Sequence, residues 1–165
     1  MRTRLGPYTA TWDVGHQVQA GRLFRDGAPT IGRNGSFPGL ASSIGQLYEI
    51  YTFTNSSTDA DLITVSQTGA SDGNSFFSAW RSFNPADLIG GASSYLGDMG
   101  FTYPPGVVFP QSFSLTVPGR TTFFIVVNSI DGISSRGGAY TFTVSGKDVV
   151  AGSAGLALAV AALSG

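Results

Sequence analysis

The chain has few of the residues on which catalytic and metal-binding chemistry most often depends. Among its 165 residues there is no cysteine, one histidine (His16) and one glutamate (Glu49). The lack of cysteine excludes disulfides, thiolate nucleophiles and thiolate metal sites, and a single histidine excludes two-histidine metal sites. Only 12% of the residues are charged, against roughly 25% in an average soluble protein. A formal net charge of −1 provides no basic surface for nucleic acid, so we predict no nucleic-acid partner.

The remaining ionisable residues do not form a recognisable catalytic motif. His16 lies in a polar segment, WDVGHQVQ, and the chain has no Gly-x-Ser-x-Gly sequence to supply a nucleophile. We therefore expect His16 to lie on the surface or in a loop. Glu49 lies within a predicted strand. Calcium binding by Asp59 and Asp61 is a weaker alternative to a structural role for these residues, because no Asp-x-Asp-x-Asp-Gly loop is present. We predict an absence of catalytic, cofactor-binding and metal-binding residues, since most aspartates fall at predicted turns (Asp26, Asp59, Asp72, Asp131).

Residues 112–146 indicate three β-strands with their connections. Apolar and hydroxyl side chains alternate over residues 112–117 and 140–145, the period-2 pattern of half-buried strands. Residues 121–127 are almost entirely β-branched or aromatic, which is typical of a strand covered on both faces. We expect the core to include Phe53, Phe123 or its neighbour Phe124, Ile125, Phe142 and Val144.

Further strand candidates follow one another at short intervals along the rest of the chain. Residues 47–55 form the clearest one, with residues 62–67 as the expected hairpin partner. Asn84 and Pro85 predict a single helical turn over residues 84–88. Frequent Gly and Pro residues predict a long loop over residues 30–43, and a loop with an edge strand over residues 95–109. We predict an all-β, two-layer antiparallel sandwich of the jelly-roll type, with other strands at residues 8–12, 17–24 and 75–83.

Five segments in a fixed order carry a family resemblance: YEIYTFTNSS, FSAWRSFNPADL, YLGDMGF, SFSLTVPGRTTFFIVVN and GGAYTFTVSG. Together they resemble the pre-peptidase C-terminal (PPC-like) β-sandwich domains of secreted bacterial proteins, over residues 45–146. The resemblance implies an extracellular or cell-surface module with an accessory or structural role and no catalysis. The chain shows no apolar segment after its basic start, so we expect no signal peptide within it.

The chain continues beyond the expected end of the sandwich, which divides it into a domain of residues 1–146 and an apolar tail of residues 147–165. Residues 149–163 carry no charge but are shorter than the ~20 residues of a membrane-spanning helix, so we predict no membrane span. Large and small side chains alternate at Leu156, Leu158 and Val160, as in a strand. A helix through Leu156, Val160 and Leu163 is the other interpretation. The tail is then either the last element of its own domain or an assembly segment.

These observations favour a non-enzymatic, extracellular structural module, a homo-oligomer that forms a filament or surface layer. In this hypothesis Leu156, Leu158, Val160 and Leu163 add a strand to the open sheet edge of a neighbouring copy. The alternative is an accessory module that binds a polysaccharide or a surface protein. Tyr95 and Tyr103 would then lie on the ligand surface; Trp12 and Trp80 could also stack on sugars, although a tryptophan on a strand is more often part of the core.

Overall fold

The computed structural model describes residues 1–13, 15–70, 75–102, 110–132 and 138–152. Strands dominate this part of the chain, and one short 3₁₀ helix covers Ala92–Ser94. The strands are β1 (Thr3–Thr11), β2 (Gln17–Gln19), β3 (Arg22–Leu23), β4 (Leu40–Ser42), β5 (Gln46–Asn55), β6 (Asp61–Ala70), β7 (Ser75–Trp80), β8 (Tyr95–Asp98), β9 (Gln111–Val117), β10 (Thr122–Ser129), β11 (Ala139–Gly146) and β12 (Val149–Ala151).

Two antiparallel sheets face each other across the core. The first sheet has the strand order β1-β11-β6-β9, and the second has the order β12-β5-β10-β7-β8. β2 also pairs with β5, while β3 and β4 form a separate small pair. The prediction of a two-layer antiparallel sandwich is confirmed.

The core lies between the inward faces of the two sheets and is rich in aromatic rings. Phe53, Phe123, Ile125, Phe142 and Val144 are each at most 1% exposed, which confirms the expected core, whereas Phe124 is half-buried. The rings of Phe53 and Phe123 stack with their centroids 5.7 Å apart. Each fully buried phenylalanine contributes about 1.5–3 kcal/mol to the free energy of unfolding through the area it removes from water.

The predicted hairpin between residues 47–55 and 62–67 is wrong, because β5 and β6 belong to different sheets. β10 occupies one edge of β5, and β2 and β12 occupy the two ends of the other edge, while β6 pairs with β11 and β9 in the first sheet. The connection instead crosses from one sheet to the other. The buried side-chain amide of Asn55 holds the crossover by donating hydrogen bonds to the carbonyls of Asp59 (2.9 Å), Val117 (3.0 Å) and Pro118 (3.1 Å).

Several predicted boundaries also differ from the structure. β1 begins at Thr3 rather than at residue 8, and the loop predicted over residues 30–43 contains β4. The strand predicted over residues 75–83 ends at Trp80. The segment after it is a hydrogen-bonded turn and not a helix, but Asn84 caps it as expected: Ala86 N–H donates to the Asn84 side chain (3.0 Å) and Asp87 N–H to the Asn84 carbonyl (3.2 Å).

One segment of residues 27–35, named here the strap, runs along the outer edges of both sheets at one side of the sandwich. It follows the edge of β8 in one sheet and the edge of β9 in the other. The strap therefore satisfies backbone groups on both edges through five hydrogen bonds, from Gly27 N to Gly100 O, Thr30 N to Asp98 O, Gly35 N to Leu96 O, Ser114 N to Thr30 O and Gly32 N to Ser114 O, all 2.8–3.1 Å long.

The beginning of the tail packs on its own domain. β12 pairs with the end of β5, with Val149 opposite Asn55 and Ala151 opposite Phe53, and Gly152 N–H donates to the Thr52 carbonyl at 2.8 Å. Val149 is 1% exposed and belongs to the core. Leu156, Leu158, Val160 and Leu163 lie outside the described residues, so their role in assembly stays a prediction.

Candidate functional site

The side of the sandwich opposite the strap has two incomplete sheet edges, and together they are named here the open flank. It consists of residues 8–11 of β1 and residues 49–51 of β5. The two edges are close together, since the ring of Tyr8 contacts both Tyr51 and Phe53 with centroid distances of 5.5 Å. Unpaired strand edges are ready-made templates for another strand, so the open flank is the candidate functional site.

The outer edge of β5 is covered at its two ends but not in its middle. β12 and Gly152 cover residues 52–55, and β2 covers residues 46–48. No described residue pairs with this edge over residues 49–51. Asn55 N–H donates to the carbonyl of Thr121, the residue before β10. The alternation of an antiparallel ladder then directs the N–H and C=O groups of Ile50 outward, away from β10. The gap from Thr52 to Tyr48 is about 13 Å long.

The outer edge of β1 is regular only in its second half. A register shift between Leu5 and Tyr8 interrupts the pairing of β1 with β11, and Pro7 lacks a backbone donor, so the first half is a poor template. Trp12 N–H donates to Gly138 at 2.8 Å. By the same alternation the backbone groups of Thr9 and Thr11 point outward, and no described strand pairs with them.

A cluster of polar side chains lies beside the gap in β5. His16 Nε2 is 3.3 Å from Glu49 Oε2, and His16 Nδ1 is 3.1 Å from Asp13 Oδ1. The buried Tyr140 hydroxyl donates to Glu49 Oε2 at 2.8 Å and lies 3.0 Å from the Tyr51 hydroxyl. Burial raises the pKa of both tyrosines, so they stay protonated and act as donors. The cluster ties the loop between β1 and β2 to β5.

The geometry around His16 differs from that of a nucleophilic triad. A triad histidine has one ring nitrogen on a carboxylate and the other on the hydroxyl that it deprotonates. Both ring nitrogens of His16 face carboxylates instead. His16 lies in the loop between β1 and β2, as expected, but its side chain is only 14% exposed, because it packs on Trp12 with a centroid distance of 5.0 Å.

Replacing Glu49 tests the structural role of this cluster. We expect Glu49→Ala to lower the free energy of unfolding by about 2 kcal/mol, because the buried Tyr140 hydroxyl loses its acceptor. Glu49→Gln keeps an acceptor oxygen and should cost less than about 1 kcal/mol. Urea unfolding of both variants measures the difference, and equal losses would show that the Tyr140 hydrogen bond contributes nothing.

The aromatic residues considered for sugar stacking are mostly buried. Trp12 and Trp80 are each 1% exposed, and Tyr95 is 7% exposed. The indole N–H groups of Trp12 and Trp80 donate to Ser75 and Ser78, and the Tyr95 hydroxyl donates to Asp98. None of the three therefore offers an open ring face to a sugar. Tyr103 lies outside the described residues.

The residues considered for calcium have structural roles. Asp61 Oδ2 accepts hydrogen bonds from the backbone of Lys147 and Asp148 at 2.5 and 3.3 Å, which joins β6 to the start of the tail. Asp59 N–H donates to Ser57 in the crossover at 3.1 Å. Within the described ranges, no group of three or more histidine, cysteine or acidic residues is placed to hold a metal ion. The same ranges contain no helix long and apolar enough to cross a membrane.

Comparisons with known proteins add little to this description. No protein family model matches the chain, and no curated protein matches it, so the PPC-like resemblance stays a prediction with which the all-β fold is compatible. A solved structure that matches is a cleaved adhesin domain of Lys-gingipain from Porphyromonas gingivalis. It is 12% identical, and the match covers 94% of this chain and 99% of that chain with a TM-score of 0.33. A TM-score this low supports no functional inference.

Proposed function

We propose that the chain is a non-enzymatic structural module of the bacterial exterior that self-associates by strand addition. The tail of one copy pairs with residues 8–11 of β1 on the open flank of the next copy. The single observation that carries the proposal is the distribution of sheet edges: the strap pairs with Leu96 and Asp98 of β8 and with Ser114 of β9, whereas the described residues leave the outward backbone groups of Thr9 and Thr11 unpaired. Head-to-tail contacts of this kind produce a filament or layer when the rotation between copies does not close a ring.

The geometry of β12 supports a donor role for the rest of the tail. The gap beyond Gly152 has three positions, opposite Tyr51, Ile50 and Glu49, before β2 begins with Gln17 opposite Tyr48. The first leucine of the tail, Leu156, is the fourth residue after Gly152. The β5 edge therefore has no room for a strand that continues as far as Leu156, and in our proposal the apolar stretch that begins there pairs with another edge.

Backbone pairing has to contribute to the association. Burying Leu156, Leu158, Val160 and Leu163 stabilises docking by about 1.5–3 kcal/mol each. Ordering each tail residue costs about 1–2 kcal/mol, so over residues 156–163 the two sums are similar. The hydrogen-bond ladder supplies the additional free energy. A variant that breaks the ladder should therefore weaken assembly as much as one that removes an apolar side chain.

A variant of the donor tests this proposal. We expect the full chain to form concentration-dependent assemblies in sedimentation velocity, and both Leu158→Pro and a chain ending at Gly152 to be monomeric, because proline removes a donor and disrupts the strand. Leu158→Val is the matched control, since it keeps the donor and the apolar side chain. Assemblies that persist in Leu158→Pro, or a full chain that is monomeric, would contradict the proposal.

A substitution in β1, the acceptor strand, distinguishes pairing with the tail of another copy from pairing with the chain's own tail. Thr9→Pro removes an outward backbone donor of an edge strand, so the fold should persist while assembly is lost. Thr9→Val is its control, because both variants lose the exposed contact between the hydroxyls of Thr9 and Thr141 (3.0 Å) but only proline removes the donor. If the tail instead lies on its own β1 edge, the wild type is monomeric and its Thr9 and Thr11 amides are protected from hydrogen exchange. That result would overturn self-association.

The absence of catalysis is part of the proposal and is supported by the pairing of both ring nitrogens of His16 with carboxylates. His16→Ala should leave assembly unchanged. Hydrolysis of a polysaccharide or peptide that this variant abolishes while it remains folded would contradict the non-enzymatic assignment.

A further inference from the structure

A recess lies between the strap and the end of β8, on the side of the sandwich away from the open flank. Its volume is about 650 Å³, within the range of roughly 300–1,000 Å³ typical of small-molecule sites. Its polar lining includes Asp26, Thr30, Arg33, Asn34, Tyr95 and Asp98. The proposed self-association does not use any of these residues.

The walls of the recess are preformed. The strap is bonded to β8 on one side and to β9 on the other through its backbone. Gly100, with φ +75°, lies so close to the strap that a Cβ atom there would come within 2.2 Å of the Ala28 carbonyl, so only glycine fits. A ligand therefore meets walls that need little ordering, which lowers the entropic cost of binding.

The floor of the recess is a buried hydrogen-bonded pair. Asp98 is 4% exposed; its carboxylate accepts hydrogen bonds from the Tyr95 hydroxyl and from Gly100 N–H, the latter at 2.6 Å. The Tyr95 ring is fixed by Trp80 and Phe37, with centroid distances of 5.4 and 5.8 Å. The floor is thus rigid, and no arginine or lysine of the described residues forms an ion pair with Asp98.

The rim has polar groups that the fold does not use. Asp26 Oδ1 accepts a hydrogen bond from Ala28 N–H at 3.0 Å, which leaves its second oxygen available. The side chains of Arg33 and Asn34 are exposed and bond to no other described residue. Carboxylate, guanidinium and amide groups are planar, with donors or acceptors in a fixed arrangement, which matches pairs of adjacent hydroxyl groups.

The charges of the lining select against anionic ligands. Asp26 and Asp98 carry two negative charges and Arg33 one positive charge, a formal total of −1. A phosphate or a carboxylated sugar would be repelled, while a neutral ligand with many hydroxyl groups can bond to the carboxylate, guanidinium and amide of the rim. We propose that this recess binds a neutral carbohydrate, with Arg33, Asn34 and Asp26 contacting adjacent hydroxyl groups at its rim.

Ligand-observed saturation-transfer NMR with the full chain tests the proposal, because the method tolerates large assemblies. The probes are the methyl glycosides of glucose, mannose, galactose and N-acetylglucosamine, with glucuronate as the anionic comparison. We expect at least one neutral glycoside to bind, and glucuronate to bind more weakly. Arg33→Ala and Asn34→Ala should each raise the Kd about tenfold, and Arg81→Ala, at an exposed arginine outside the recess, should not change it.

Three results would overturn the proposal: no saturation transfer to any of the four glycosides, a Kd unchanged in both rim variants, or glucuronate binding as tightly as the neutral sugars. Arg33 and Asn34 are exposed, so their replacement leaves the fold intact. Sugar binding should be the same in Leu158→Pro as in the wild type. Failure of self-association and failure of sugar binding are therefore separate outcomes.

Discussion

Replacing Asn55 with alanine is expected to lower the free energy of unfolding by about 4 kcal/mol. The side chain is fully buried. Its amide donates to the carbonyl of Asp59 and to the carbonyls of Val117 and Pro118 at the end of β9, at 2.9–3.1 Å. Its oxygen accepts a hydrogen bond from Ser57 N–H at 3.1 Å. Alanine removes all four hydrogen bonds, each of which contributes about 0.5–1.5 kcal/mol, and it takes this partner from the carbonyl of Val117, the one buried residue among the four partners. Urea unfolding followed by fluorescence measures the loss.

The neighbouring residue supplies the control for this substitution. Thr54 is part of the same strand, and its hydroxyl lies 3.0 Å from that of Thr122 on the exposed face, so Thr54→Ala should cost less than about 1 kcal/mol. Asn55→Asp keeps the acceptor for Ser57 but loses the donors, so it should resemble alanine. A loss of less than about 1 kcal/mol in Asn55→Ala would show that water replaces the amide and that the crossover does not depend on it.

Strand positions and inward faces could be predicted because alternation is a local property of the sequence. The apolar residues of 112–117 and 140–145 point to one face whichever strands they pair with. Strand pairing is not local. β5 and β6 are consecutive and both alternate, which favours a hairpin; their separation depends on β10, β2 and β12 occupying both edges of β5. Those strands come from distant parts of the chain.

The candidate sites were harder to predict because their parts lie far apart in sequence. His16 and Glu49 are the only histidine and the only glutamate of the sequence, and this rarity was the one signal that could have drawn attention to them. They come together only because the loop after β1 returns onto β5. The strap lies in a segment rich in Gly, Ser and Pro that predicts only a loop. Its role follows from backbone hydrogen bonds to Asp98 and Ser114, and a backbone contact leaves no side-chain pattern in a sequence.

The open flank and the recess lie at opposite ends of the sheet order. The flank is formed by β1 and β5, and the recess adjoins β8 on the edge covered by the strap. Strand addition at one side would therefore leave the other side accessible. Taken together, the two proposals describe a subunit that presents one sugar-binding recess per copy along an assembly.

Replacing Asp98 with asparagine is expected to remove a pH dependence of stability between about pH 4 and 6. Burial, with a further contribution from the charge of Asp26, raises the pKa of Asp98 from 3.8 to about 6, against the opposing effect of its hydrogen bonds from Tyr95 and Gly100. The folded protein therefore holds this proton more tightly than the unfolded chain. The resulting stabilisation is complete below about pH 4 and is lost as the pH rises through about 6, a change of about 3 kcal/mol.

The measurement is the free energy of unfolding in urea at pH 4 and at pH 7, for the wild type and for Asp98→Asn. The difference between the two proteins should change by about 2 kcal/mol between these pH values, most of the full change of about 3 kcal/mol, because an amide does not titrate. Hydrogen bonds from Gly15 and His16 lower the pKa of the Asp13 carboxyl. Asp13 is present in both proteins, so its contribution to the pH dependence cancels in the difference. Asp26→Asn, at an exposed position, should change the pH dependence far less. If Asp98→Asn and the wild type lose the same stability between pH 4 and pH 7, the carboxyl of Asp98 is ionised throughout that range and the floor of the recess is more hydrated than its burial implies.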